Sequence, residues 1–202
     1  MKRLLLGLLF SICAASSAQA VTFGFDCLAG PSAACGVGEA QIRVEVTDAG
    51  SGMVNLVFTN TGAEVSAVRS IYFDRPENFA KLVLLGGAGT RFKKGGKPKD
   101  LPGVPSFMSD FRFTARSPQD INGLNPGESL TIVLKLASGR TFADVVSALE
   151  SGSLKIGVFM VANTPTTGEA SLVNLPRPVP EPVAALMGGV ACLGLALLGR
   201  RR

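Results

Sequence analysis

Apolar and polar positions alternate over much of the middle of the chain. Residues 41–47 (QIRVEVT) place Ile42, Val44 and Val46 on one face and polar side chains on the other. That period of two predicts a half-buried strand. Residues 48–52 (DAGSG) are a turn cluster, and residues 53–59 (MVNLVFT) resume the alternation with Val54, Leu56 and Phe58. The pair reads as a hairpin with a loop of about five residues. Further strands are predicted at residues 68–73 (VRSIYF), 81–85 (KLVLL), 107–114, 130–136 and 154–161, with a short edge at 171–173. In residues 107–114, Phe111 and Phe113 share a face. Leu130, Ile132, Leu134 and Leu136 all point inward. Residues 154–161 are apolar on both faces for part of their length, as in a central strand.

One segment switches period. Phe142, Val145, Val146 and Leu149 fall on one face at helical spacing. Thr141 is placed to cap the N-terminus, Asp144 follows three residues on, and Gly152 is placed to end the helix. These elements predict a mainly β protein, an antiparallel β-sandwich over residues 21–175, with one short helix covering an edge. About 160 residues is large enough for one core. Residues 86–103 read as the longest loop.

The N-terminus follows a different logic. Lys2 and Arg3 precede a short apolar stretch, and small residues lead to Ala18-Gln19-Ala20. This order is that of a secretory signal peptide over residues 1–20, with Ala18 and Ala20 read by signal peptidase. Ile12 before Cys13 argues against a lipoprotein signal. Cys13 leaves with the signal, and Cys192 lies in an apolar run near the C-terminus. Cys27 and Cys35 remain as an even pair in an oxidising compartment, predicting a small disulfide loop that pins the mature N-terminus. A two-cysteine metal site is the weaker alternative, because no second ligand pair accompanies it.

At the other end, prolines 176, 178, 180 and 182 form an extended spacer. Residues 183–199 are uncharged and rich in Ala, Leu, Gly and Val, and Arg200, Arg201 and Arg202 end the sequence. This predicts a short C-terminal transmembrane helix with a basic cytoplasmic stop. Pro180-Glu181-Pro182, one span and a terminal basic cluster together resemble the PEP-CTERM sorting signal. Residues 127–136, 141–144 and 151–157 also resemble the ectodomain endings of uncharacterised PEP-CTERM proteins, with Phe159 where those chains often have His. The resemblance implies cleavage near Pro180, Glu181 and Pro182 by an exosortase, in a Gram-negative bacterium that makes exopolysaccharide. It also implies an inner-membrane intermediate and a product displayed at the cell surface or released. A plain tail-anchored periplasmic protein is the competing expectation.

Charge changes meaning in this light. The chain carries 20 basic and 15 acidic residues, a net charge of +5. Leaving out Lys2, Arg3, Arg200, Arg201 and Arg202 gives 15 basic residues, and leaving out Glu181 gives 14 acidic ones. The middle is close to neutral, which speaks against a nucleic-acid partner. The sequence has no His, so Ser-His-Asp and Cys-His catalysis and His-ligated zinc are excluded.

Three constellations merit weighing. Arg91, Lys93, Lys94, Lys97 and Lys99 form a basic loop suited to an anionic ligand such as extracellular polysaccharide, or simply a solvated loop. Asp120, Asn122, Asn125 and Glu128 crowd one turn; they lack EF-hand spacing and read better as an Asx-rich turn than as a calcium site. Asp74 and Glu77 form a carboxylate pair, but Arg75 and Pro76 between them favour a strand-end turn. With no Trp and only Tyr72, a sugar site built on exposed stacking rings has little support. No cofactor and no catalytic residue is expected.

Overall fold

The computed structural model describes residues 20–74, 79–95, 100–163 and 168–178. In chain order the elements are β1 (Ala20–Ala29), α1 (Ser32–Gln41), β2 (Ile42–Gly50), β3 (Met53–Asn60), β4 (Ser66–Asp74) and β5 (Phe79–Gly86). Then come β6 (Phe92–Lys94), β7 (Phe111–Ala115), α2 (Gln119–Asn122), β8 (Ser129–Leu136), α3 (Phe142–Glu150), β9 (Lys155–Ala162) and β10 (Gly168–Pro178). The protein is mainly β, and every neighbouring strand pair is antiparallel.

The ten strands form one continuous ladder in the order β5-β8-β3-β2-β1-β10-β9-β4-β7-β6. The sheet curls until its edge strands β5 and β6 approach each other. Two separate sheets were the expectation. Alternation says which side chains face inward, but it does not say where a ladder breaks, and here it does not break between β1 and β10.

The inner face follows directly from the alternation. Val44 lies opposite Phe58 and Val46 opposite Leu56 across β2–β3. Leu56 then lies opposite Ile132 and Phe58 opposite Leu130 across β3–β8. All of these side chains are fully buried. Each contributes about 1.5–3 kcal/mol by leaving water. Phe58, Phe73 and Phe113 continue the core through edge-to-face ring contacts at 6.4 and 6.2 Å.

α1 and α3 share this core: Ala34, Val145 and Leu149 are buried in it. A second, smaller cluster of Tyr72, Leu101, Val104 and Phe107 lies apart from it. There, residues 101–107 cover the outer face of β9, and Phe107 and Leu101 sit over Gly157.

α3 starts and stops where the sequence indicates. Thr141 Oγ1 accepts from the Asp144 backbone N–H, and the Asp144 carboxylate accepts from the Thr141 backbone N–H at 2.7 Å. This is a reciprocal capping box, and Gly152 follows the helix at φ +70°.

Several expectations are corrected. Residues 20–41, where the sequence reading places only the disulfide loop of Cys27 and Cys35, form β1 and α1. The alternation of Val21, Phe23 and Phe25 marks the strand, while Gly36 and Gly38 disguise the helix, since glycine lowers helix propensity by about 1 kcal/mol each. Gly38 is required by packing, because a Cβ there would stand 2.6 Å from Leu172 and 2.7 Å from Met160. There are three helices among the described residues rather than one. Residues 86–103 contain β6. The predicted edge at 171–173 is part of an 11-residue strand lying between β1 and β9.

β10 runs to Pro178, so the first part of the expected spacer is strand. Its pairing with β9 ends at Val173, where the Asn174 side chain accepts the Ile156 N–H at 2.7 Å. Beyond that point only β1 flanks it. Prolines are tolerated there because one side of the strand needs no donor. Among the described residues no helix is long and apolar enough to cross a membrane. The expected span at 183–199 lies outside them.

Candidate functional site

The outer face of β4 and β7 carries a groove of about 650 Å³. Its construction starts with register. Ser70 lies opposite Thr114, and Tyr72 opposite Arg112. Phe73 and Phe113, one residue further along, point into the core, so Tyr72, Arg112 and Thr114 face outward. A register shift between Val68 and Ser70 inserts Arg69 as an extra residue. Such a bulge re-aims a side chain. β6 adds Lys93 opposite Thr114. α2 adds Gln119 and Asp120.

Three cations therefore line one groove: Arg69, Lys93 and Arg112. They are not equivalent. Arg69 donates from Nε to Asp120 at 2.6 Å and from Nη1 to Glu169 at 2.8 Å. The hydrogen bond to Asp120, with the charges of Asp120 and Glu169, raises its pKa above the ordinary arginine value against the opposing effect of burial. Arg69 is thus held as a fixed positive charge. Arg112 lies over the Tyr72 ring at 6.0 Å from its centroid, and Tyr72 is 3% exposed. Its buried Nε has no hydrogen-bond partner. Lys93 is exposed.

Neutral polar groups fill the wall between the cations. Ser70 Oγ donates to Thr114 Oγ1 at 2.9 Å, and Gln119 Nε2 donates to the same oxygen at 3.2 Å. The groove thus offers positive charge, hydroxyls and an amide, with one carboxylate at Asp120.

Among the described residues of the predicted basic loop, only Lys93 enters this groove. Lys94 stands over the Phe111 ring at 5.4 Å. Arg91 is exposed, and its backbone N–H donates to Asn122. Lys97 and Lys99 lie outside the described residues. The acidic turn is used locally: Glu128 accepts from the Asn125 N–H and Nδ2, Asn122 donates to the Pro118 carbonyl, and Asp120 pairs with Arg69. Asp74 ends β4 at 3.9 Å from Lys155, and Glu77 lies outside the described residues.

Cys27 and Cys35 form a disulfide with Cα atoms 5.3 Å apart. The expected bridge is present, and the short loop it closes ties β1 to α1. Glu39 on α1 reinforces the tie by accepting the Cys27 N–H at 3.0 Å. Ala20 is the first residue of β1 and lies opposite Thr47. Phe23 lies opposite Pro178, so the start of β1 and the end of β10 stand side by side. Ala18, Pro180, Glu181, Pro182, Arg200, Arg201 and Arg202 lie outside the described residues.

Sequence reasoning does not find Arg69, Ser70, Arg112, Thr114 or Gln119 as one site. The inward alternation of Phe111 and Phe113 already places Arg112 outward, but only the β4–β7 pairing tells what stands beside it. The class that fold and groove define is an antiparallel, mainly β domain with a cationic, hydroxyl-lined groove on its outer face. No family model matches the sequence, and no curated protein or solved structure matches it either.

Proposed function

We propose that the protein is an exported, non-enzymatic protein of the PEP-CTERM class, sorted by an exosortase and displayed at the cell surface or released into an exopolysaccharide matrix. The observation that carries this reading is the co-occurrence of a complete signal-peptide pattern with Pro180-Glu181-Pro182, an uncharged run and a terminal arginine cluster. A disulfide in the domain agrees with an oxidising compartment. In finer terms, the two halves of the curled sheet serve as the layers of a sandwich around one core. Signal peptidase cuts after Ala20. The exosortase acts beside the span while residues 183–199 hold the substrate in the inner membrane.

The test is the intact mass of the mature protein from its own host, with and without a thiol-alkylating reagent. The expected species begins at Val21, ends near residues 180–182 and takes up no alkylating reagent at Cys27 or Cys35. A species retaining Arg202 overturns the sorting reading in favour of a tail-anchored periplasmic protein. A second reading, a glycan-binding module, draws support from the groove beside Lys93. On the sequence alone, the ligand of such a module is expected on residues 91–99.

A further inference from the structure

We infer that the groove on the outer face of β4 and β7 binds a carboxylate-bearing polysaccharide, with Arg112 and Lys93 meeting the carboxylates and Ser70, Thr114 and Gln119 meeting sugar hydroxyls. This rests on the glycan-binding reading of the ectodomain and not on the sorting reading. Four observations lead to it. Lys93 and Arg112 are brought to one groove by the β6–β7–β4 register, without an acidic partner shown for either among the described residues. Arg112 is held in place by the Tyr72 ring beneath it, so little ordering remains to be done on binding. Arg69 is already neutralised by Asp120 and Glu169, which leaves it as a positioning group for the α2 wall. The groove is open and mostly polar, as suits a hydrated chain rather than an apolar small molecule.

The same features disfavour a nucleic acid. The sole tyrosine is buried under Arg112, and the half-buried Phe159 is the one other aromatic ring in the groove's lining, so successive bases would find no stacking platform. A uronate chain spaces its carboxylates among hydroxyls, which matches alternating cations and hydroxyl groups.

The test is titration calorimetry of the full protein, purified from its host, with an oligogalacturonate of defined length and EDTA present. The carboxyl-reduced oligosaccharide and a single-stranded DNA of equal charge serve as comparisons. Oligogalacturonate should bind, weakening with salt, and the reduced sugar should not. Arg112→Gln should weaken binding roughly tenfold and Lys93→Gln roughly threefold, by loss of charge-assisted hydrogen bonds. Lys135→Gln, on an exposed position of β8, should change nothing. If Arg112→Gln does not fold, the exposed Lys93→Glu variant carries the test and should abolish binding. Equal binding of the reduced sugar, or DNA binding as tightly as the oligogalacturonate, overturns the proposal. Binding that survives at Arg112 and Lys93 but is lost when Lys94, Lys97 and Lys99 are neutralised overturns the groove and keeps the loop. No binding by the wild type overturns both and leaves the intact-mass result untouched.

Discussion

The β2–β3 hairpin and the β1–α1 corner sit side by side in the same core and are specified in opposite ways. In the hairpin, alternation selects the buried face and the turn is built into the residues that make it. Gly50, Ser51 and Gly52 take φ values of +72°, +53° and +70°. Gly50 and Gly52 stand in open space, so glycine is there for backbone conformation alone. In the corner, Gly30 takes φ +137°, and a Cβ on it would stand 2.5 Å from the Glu169 carbonyl oxygen. Its constraint is set by a strand some 140 positions away in the sequence. The helix it leads into has two glycines, lacks a side-chain cap at its N-terminus and is tied back by a disulfide. The hairpin is specified by neighbours in the chain, and the corner by neighbours in space.

The largest effect should come from the core that both regions share. Phe58→Ala should lower the unfolding free energy by about 3–5 kcal/mol in urea titration, because a fully buried ring leaves a cavity. A loss below about 1 kcal/mol would mean that the hairpin does not carry the core as its register indicates.

The comparison itself is tested by putting one methyl group in each turn. Gly30→Ala should cost about 2–3 kcal/mol, since strained backbone and a backbone clash act together. Gly50→Ala should cost about 1–2 kcal/mol, from conformation alone. Equal costs in thermal melts would remove the distinction.

Cutting the covalent tie comes next. Replacing Cys27 and Cys35 with Ser should cost about 2–3 kcal/mol, given a sequence separation of only 8. Hydrogen exchange should quicken in α1 and leave β2–β3 unchanged. Uniform quickening would show the hairpin to be no more self-sufficient than the corner.

The smallest effects belong to α3, whose ends are locally encoded like the hairpin. Thr141→Ala should cost about 1 kcal/mol by removing the cap. The Thr141 backbone N–H, and then its hydroxyl, hold the Asp144 carboxyl below its ordinary pKa. A depressed folded-state value means that the stabilisation is present above the unfolded value and lost as pH falls through the folded one. Thr141→Ala removes the hydroxyl and keeps the backbone N–H, so the Asp144 titration, followed by NMR, should move only part of the way back toward the ordinary carboxylate range. An unchanged titration would contradict a contribution from the Thr141 hydroxyl.

How legible the molecule is follows the same division. β2, β3 and β8 can be read from alternation, β4, β5 and β9 from short apolar-rich runs, β7 in part from Phe111 and Phe113 although it starts only at Phe111, and α3 from Thr141, Asp144 and Gly152, because the information lies within a few residues. α1 is hidden behind Gly36 and Gly38. β6 is hidden in a basic stretch whose period is too short to register. β10 is hidden because Pro176 and Pro178 signal a break, and only the one-sided pairing with β1 explains why no break occurs. Of the groove, the sequence marks Lys93 by its basic neighbours; Arg69 and Arg112 carry no such mark.

By itself, the sequence determined which side chains turn inward, the predominance of antiparallel strands, the pairing candidates Cys27 and Cys35, and a candidate export and sorting logic at its two ends. These depend on local period, on counting and on short motifs. Only the tertiary structure decided that one ladder continues through β1 and β10, that a glycine-rich segment closes as a helix against Leu172 and Met160, and that Lys93, Arg112 and Arg69 meet. Those outcomes depend on register between strands distant in the chain, where a one-residue slip would turn every side chain to the other face.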